Sequence, residues 1–228
     1  MLSDPSARML HIAPEACLEP RLKKLLGTNY LTADLSNPRA MVQMDITDIR
    51  YPDQSFDIIF CNHVLEHVPD DRKAMREMHR VLSDTGCAIL LVPITVDETF
   101  EDPSVTDPAE RLRLFGQHDH VRRYGPDYVD RLRSAGFTVH VVTAMDLVSE
   151  EKAVRLGFTD AAGELFLCTR SSDTTHHPGF SATDDRLRER EGQIARAVYT
   201  DLHGGEGSTT HPGLARTDRS EAPSTELA

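Results

Sequence analysis

Short apolar runs recur along the chain, separated by charged and polar stretches: RMLHIA, NYLTADL, MVQMDIT, FDIIFCN, CAILLVPI, TVHVVTA and ELFLCTR. Each has the length and composition of a strand, which predicts seven strands. Between them lie segments with helical spacing, EPRLKKLLG, DDRKAMREMHRVLSD and PDYVDRLRSAGF. The second puts Ala74, Met78, Val81 and Leu82 on one face and its charges on the other. The third ends at Gly136. Strands alternating with helices predict an α/β protein with a doubly wound, mostly parallel seven-stranded sheet. In such a sheet ligands sit at the carboxyl ends of the strands.

Two segments break the pattern. Residues 95–124, TVDETFEDPSVTDPAERLRLFGQHDHVRRY, are polar and follow the fifth strand, so they should emerge on the ligand side. From residue 171 onward the composition turns to Ser, Thr, His, Gly and Asp, apart from a helical island near 184–202. The expected organisation is therefore one domain over 1–170, with an insertion at 95–124, and a mostly disordered tail over 171–228. The tail holds a short imperfect repeat, TTHHPGFSATDDR against TTHPGLARTDR, too short and polar for a solenoid unit.

Composition narrows the partners. A net charge of −12 argues against binding nucleic acid or an anionic membrane, since both need concentrated Lys and Arg. No apolar run approaches the roughly 20 residues of a spanning helix, and the N-terminus has no secretory pattern. The expectation is a cytoplasmic protein acting on a small molecule. Cys17, Cys61, Cys87 and Cys168 form no C-x-x-C pair and read as core thiols.

Polar residues at the predicted strand ends form one rim. Glu15 follows the first strand, Asp34 ends the second, Asp45 ends the third, and Asn62 and His63 end the fourth. An acid about 20 residues past the first strand–helix junction suits a ribose diol, because a carboxylate accepts from both hydroxyls. Asp34 fits that place. Asp45 can accept from an adenine amine while the neighbouring backbone N–H donates to the ring. The rim suits a nucleoside and lacks a phosphate cradle.

From Met9 to Arg170 the chain resembles the class I S-adenosylmethionine-dependent methyltransferases of the small-molecule type. The resemblance is strongest over MDITDIRYPDQSFDIIFCNHVLEHVPDDRKAMREMHRVLSDTGCAILLVPI, and the later DYVDRLRSAGFTV is similar to the family's approach to its sixth strand. It implies adenosylmethionine as cofactor, held by His11, Ala13, Pro14, Glu15, Asp34, Leu35, Asp45, Ile46, Asn62 and His63. The chain departs from the family in its first turn, where an acid and a Gly-x-Gly are usual and His11, Ala13, Pro14 and Glu15 stand instead. Adenosylmethionine has no pyrophosphate, so close backbone approach matters less. Proline is tolerated where a helix starts, here near Cys17, and Glu15 is expected to supply the acid that His11 does not. The family also commonly has helices before the first strand. With none before Met9, the insertion is the expected lid, and the island at 184–202 the reserve.

Methyl transfer needs alignment and, for weakly acidic acceptors, a base. His118 and His120 in GQHDHVRRYG would share a face if extended, and His63 lies beside the expected methyl group. These three are the candidate bases, and Arg122, Arg123 and Tyr124 are candidates for binding the acceptor. His-x-His is also metal-ligand spacing, but no third ligand is fixed, so no metal is expected. Glu66 and His67 open a helix and read as structural. The leading reading is a methyltransferase acting on O or N of a small molecule. Its alternative is a non-catalytic methyltransferase-like partner subunit. A nicotinamide oxidoreductase, which needs the glycine fingerprint, and a hydrolase built on His118 and His120 rank below both.

Overall fold

A computed structural model describes residues 4–143 and 164–170. The island at 184–202 and the tail repeat lie outside the described residues. All seven expected strands form one sheet: β1 (Met9–Ile12), β2 (Tyr30–Asp34), β3 (Val42–Gln43), β4 (Phe56–Asn62), β5 (Leu82–Leu91), β8 (Phe137–Thr143) and β9 (Glu164–Arg170). Their order is β3-β2-β1-β4-β5-β9-β8. Among the described strands of this sheet, β9 alone runs opposite to the other six. The register sets Ile12 beside Ala33 and Cys61, and Asn62 beside Leu91, so the carboxyl ends of β1, β2, β4 and β5 share one level.

Both faces of the sheet are buried, as parallel strands require. On one face Leu10, Ile12, Ile59, Cys61, Ala88 and Leu90 pack against α2 (Asp71–Val81) and α4 (Tyr128–Ser134). On the other, Met9, Ile58, Phe60, Cys87 and Ile89 pack against Leu22 and Leu26 of α1 (Glu19–Leu26). Helix α1 starts at Glu19, after a turn over 16–18, rather than near Cys17. Cys17 on that turn is exposed, so it is not a core thiol, whereas Cys61, Cys87 and Cys168 are buried. Leu82, expected on the second helix, instead opens β5 directly after Val81. No helix among the described residues is long and apolar enough to cross a membrane.

The insertion is built rather than loose. Strand β6 (Phe100–Glu101) pairs antiparallel with β7 (Arg122–Arg123), and α3 (Pro108–Phe115) lies between them. Asp107 caps α3 by accepting from the Glu110 N–H at 2.9 Å, and Gly116 ends it at φ 88°. The ends of the insertion meet where the Thr95 N–H donates to the Tyr124 carbonyl at 2.9 Å.

What fastens it to the domain is a buried polar cluster. Arg122, 2% exposed, donates to the carbonyls of Leu65, Val68 and Pro69 and to the Glu101 carboxylate. Those carbonyls belong to the 3-10 turn Leu65–His67 and the segment after it. The Tyr124 hydroxyl donates to Asp71 Oδ2 at 2.7 Å, and Arg131 of α4 reaches Asp71 at 3.1 Å and Glu101 at 2.7 Å. Burial alone pushes the Glu101 carboxyl up, but Arg122 and Arg131 hold it below its ordinary value. The polar groups of Arg122 and Tyr124 are thus engaged by the domain itself. Four of the five guanidinium N–H groups of Arg122 are already taken.

Removing Asp71 would leave the buried Tyr124 hydroxyl and Arg131 Nε without the carboxylate they donate to, and Glu101 as the one carboxylate facing two guanidinium groups. Asp71→Ala should cost about 3–5 kcal/mol, read as a lower urea midpoint. Arg50→Ala, at a side chain 88% exposed, should change stability by less than about 0.5 kcal/mol.

Candidate functional site

The first turn answers how the chain leaves β1 without glycine. Ala13 itself takes the left-handed conformation, φ 49°, and its N–H donates to the Ala33 carbonyl at 2.8 Å. A left-handed non-glycine residue carries a strain of about 1–2 kcal/mol. Side-chain bonds just past the turn hold the geometry. The Glu15 carboxylate accepts from His11 Nε2 at 2.7 Å through one oxygen and from Asn62 Nδ2 at 2.6 Å through the other. A carboxylate can only accept, so the His11 proton sits on Nε2. In the neutral ring Nδ1 is then the acceptor for the Tyr30 hydroxyl, at 2.7 Å. His11 is fully buried and meets Phe60 edge-on at 5.1 Å between ring centroids.

This chain of bonds joins β2, β1, the first turn and β4. Burial raises the Glu15 pKa, and the donors His11 and Asn62 outweigh it, leaving the carboxyl below its ordinary value. Pro14 stands between Ala13 and Glu15 in the turn. Asn62 Oδ1 is buried and has no hydrogen-bond partner.

The two acids farther along the rim are arranged alike. Asp34 Oδ1 accepts from the backbone of Ser36 and Asn37 at 2.8 and 2.7 Å. Asp45 Oδ1 accepts from the N–H and hydroxyl of Thr47, both at 2.8 Å, which lowers its pKa. In each, the following loop fixes one oxygen, and the second has no hydrogen bond among the described residues. Next to Asp34, Leu35 is 63% exposed, whereas Ile46 beside Asp45 is buried in the core.

A second group gathers beyond β4. His63 has a left-handed backbone, φ 52°, an exposed ring, and its Nδ1 3.4 Å from Glu66 Oε1. The bond to Glu66 raises the His63 pKa against the opposing effect of burial. Glu66 is 2% exposed, and its Oε2 has no hydrogen-bond partner. The His67 and His120 rings meet edge-on at 4.6 Å. His118, however, is exposed on a turn, so His118 and His120 do not share an extended face. Glu66 and His67, expected to open a helix, lie instead in the 3-10 turn before α2. The signal for Glu66 was an acid inside the apolar turn Val64-Leu65-Glu66-His67-Val68, a place where a charge needs a reason.

A cavity of about 350 Å³ opens between Glu66, Pro93 and Thr95 after β5, and the insertion residues Phe115, His120 and Arg123. Arg123 stays at its edge, donating to the Thr95 carbonyl and hydroxyl at 2.6 and 3.0 Å.

Two predictions test the first turn. Ala13→Gly relieves the left-handed strain and loosens the unfolded chain by about 0.4–1 kcal/mol. The net expectation is an increase of up to about 1 kcal/mol in unfolding free energy, read by urea denaturation. Because the Glu15 pKa is depressed in the fold, its contribution is complete above the ordinary value of 4.5 and is lost as pH falls through the folded value. Glu15→Gln should therefore flatten the acid limb of the stability curve between about pH 5 and pH 3. A limb as steep as wild type would refute the assignment.

Residues 2–90 match the family described as "Methyltransferase domain". An uncharacterised methyltransferase, YcgJ of Bacillus subtilis (strain 168), is 38% identical over 72 residues, 32% of this chain and 27% of that protein. Ajmaline N-methyltransferase of Rauvolfia serpentina is 36% identical over 73 residues, 32% of this chain and 25% of that protein. The chain thus aligns with about a quarter of the length of these curated relatives. Among solved structures, an S-adenosylmethionine-dependent methyltransferase from Archaeoglobus fulgidus is similar at TM-score 0.46 and 14% identity, over 72% of this chain and 86% of that one. The B. subtilis YcgJ structure is similar at TM-score 0.43 and 16% identity, over 73% and 93%. Residues 2–90 of this chain thus match a methyltransferase domain, and they belong to a seven-stranded sheet in which β9 alone among the described strands runs opposite to the rest.

Proposed function

We propose that the chain transfers a methyl group from S-adenosylmethionine to an oxygen or nitrogen of a small-molecule acceptor. The observation that carries this reading is the cavity between the strand ends and the insertion. It lies where residues following β4 and β5 meet residues of the insertion at 95–124. The R. serpentina relative, named as an N-methyltransferase, agrees with a small acceptor.

The rim fits the cofactor on its own terms. Asp34 and Asp45 each keep an oxygen for a donor, suiting the ribose diol and the adenine amine respectively. Exposed Leu35 offers an apolar surface for the adenine ring. The unpartnered Asn62 Oδ1 and the Glu15 carboxylate suit the ammonium. Bound adenosylmethionine supplies an electrophilic methyl group on a sulfonium. His63 directly follows Asn62, and its exposed ring is oriented by Glu66, so we assign it the acceptor's proton. Of the other two candidates, His120 lines the cavity and His118 stands on the outer turn. Arg123, at the cavity edge, remains for an anionic group on the acceptor.

One observation favours the alternative of a non-catalytic partner subunit: both Glu15 oxygens are occupied within the protein. Calorimetry with S-adenosylhomocysteine, and NADH as comparator, separates the two. Micromolar binding of the first and none of the second is expected. Asp34→Ala should weaken it about ten- to a hundredfold, since hydrogen bonds to a charged group contribute about 1.5–3 kcal/mol. No binding by wild type would favour the partner-subunit reading, and unchanged binding by Asp34→Ala would remove Asp34 from the cofactor site.

A further inference from the structure

Glu66, His67 and His120 each offer one possible ligand atom, and the three atoms lie within 4.8 Å of one another. His67 and Glu66 come from the turn after β4, and His120 comes from the insertion. The third ligand that the sequence could not supply for His120 is therefore provided from across the fold, and the partner is not His118.

Two further observations give this cluster the character of a site. The first is Glu66 itself. A carboxyl that is 2% exposed, with one oxygen lacking any hydrogen bond, leaves a desolvated acceptor unsatisfied. The second lies behind the imidazoles. His67 Nδ1 is 3.3 Å from Asp119 Oδ2, and His120 Nδ1 is 3.3 Å from the Phe115 carbonyl. Metal-binding histidines commonly give the second ring N–H to a carboxylate or carbonyl, which fixes the tautomer and orients the other nitrogen as ligand. Here both rings meet such an acceptor at Nδ1, leaving Nε2 for an ion.

We propose that Glu66, His67 and His120 bind a divalent transition-metal ion of the zinc type, with its remaining coordination position facing the cavity and taking an oxygen of the acceptor. Two imidazoles and a carboxylate suit borderline ions such as Zn²⁺ better than Mg²⁺ or Ca²⁺, which favour oxygen ligands. Ligand atoms in a tetrahedral zinc site stand roughly 3.4 Å apart, so binding draws the side chains together modestly. Glu66 and His120 both line the cavity, which places the open position on its inner wall, and Arg123 stands on the same cavity. An acceptor carrying a hydroxyl beside a second oxygen or an anionic group would meet both. The acceptor half of this inference rests on the methyltransferase reading, and the metal half does not.

The test is calorimetric titration of the full-length, chelator-treated protein with Zn²⁺, and visible spectroscopy with Co²⁺ as a spectroscopic stand-in. One equivalent should bind with a micromolar or lower Kd. Glu66→Gln, His67→Ala and His120→Ala should each weaken binding at least tenfold and abolish the Co²⁺ absorption band. His118→Ala and the tail variant His176→Ala/His177→Ala should bind like wild type. Circular dichroism of the same samples shows whether a variant is folded, and adenosylhomocysteine titrations read the cofactor site separately. Failure of wild type to bind one equivalent, or binding that survives His120→Ala, overturns the proposal. Zinc binding without adenosylhomocysteine binding would leave the metal site standing and sink the methyltransferase reading. Adenosylhomocysteine binding without zinc binding would do the reverse.

Discussion

The structure depends on Arg122 being buried. A guanidinium inside a protein must have its N–H groups paired and its charge answered, and the only way to do both here is to bring distant parts of the chain together. Three backbone carbonyls come from the turn and segment after β4, one carboxylate comes from β6, and Asp71 at the start of α2 stands 3.7 Å away. Asp71 in turn holds Arg131 and Tyr124. The insertion, α2, α4 and the turn carrying Glu66 are therefore fixed by one set of bonds. The same residues that anchor the insertion also form the far wall of the cavity.

The rim at the strand ends solves a different constraint. The chain must turn sharply after β1, and without glycine it does so with a left-handed alanine held by its neighbours. Glu15 places an acid in the turn, and the buried His11 connects it back to Tyr30. The strain at Ala13 and the bonds at Glu15 belong together, since a conformation disfavoured locally persists only when its surroundings determine it.

Much of the fold was legible in the sequence because it is written in local pattern. The seven strands and three of the helices follow from apolar periodicity, and the rim from which polar residue ends each strand. Helix α3 was also signalled, by Asp107-Pro108 at its start and Gly116 at its end, but its polar composition hid those caps inside an apparently irregular segment. The inward turn of Arg122 and Tyr124 could not be read this way. Their partners, Leu65, Val68, Pro69 and Asp71, are distant in sequence, and an arginine beside acids looks the same on a surface. Glu66 reads as a surface acid at the start of a helix because its burial, at 2% exposure, comes from packing that the local pattern does not record.

The position of β9 shapes how the chain reaches this state. Strand β8 pairs with β9 alone in the sheet, and β9 is inserted between β5 and β8 although it is made after both. During synthesis the five-stranded part from β3 to β5 can assemble first, leaving β5 as a bare hydrophobic edge. At roughly 5–20 residues per second, that edge waits several seconds for residues 164–170. An open edge rich in Ile and Leu is a template for unwanted pairing with another chain. Efficiency of folding in a crowded cell thus hinges on capture of the last strand, far from the residues that perform chemistry.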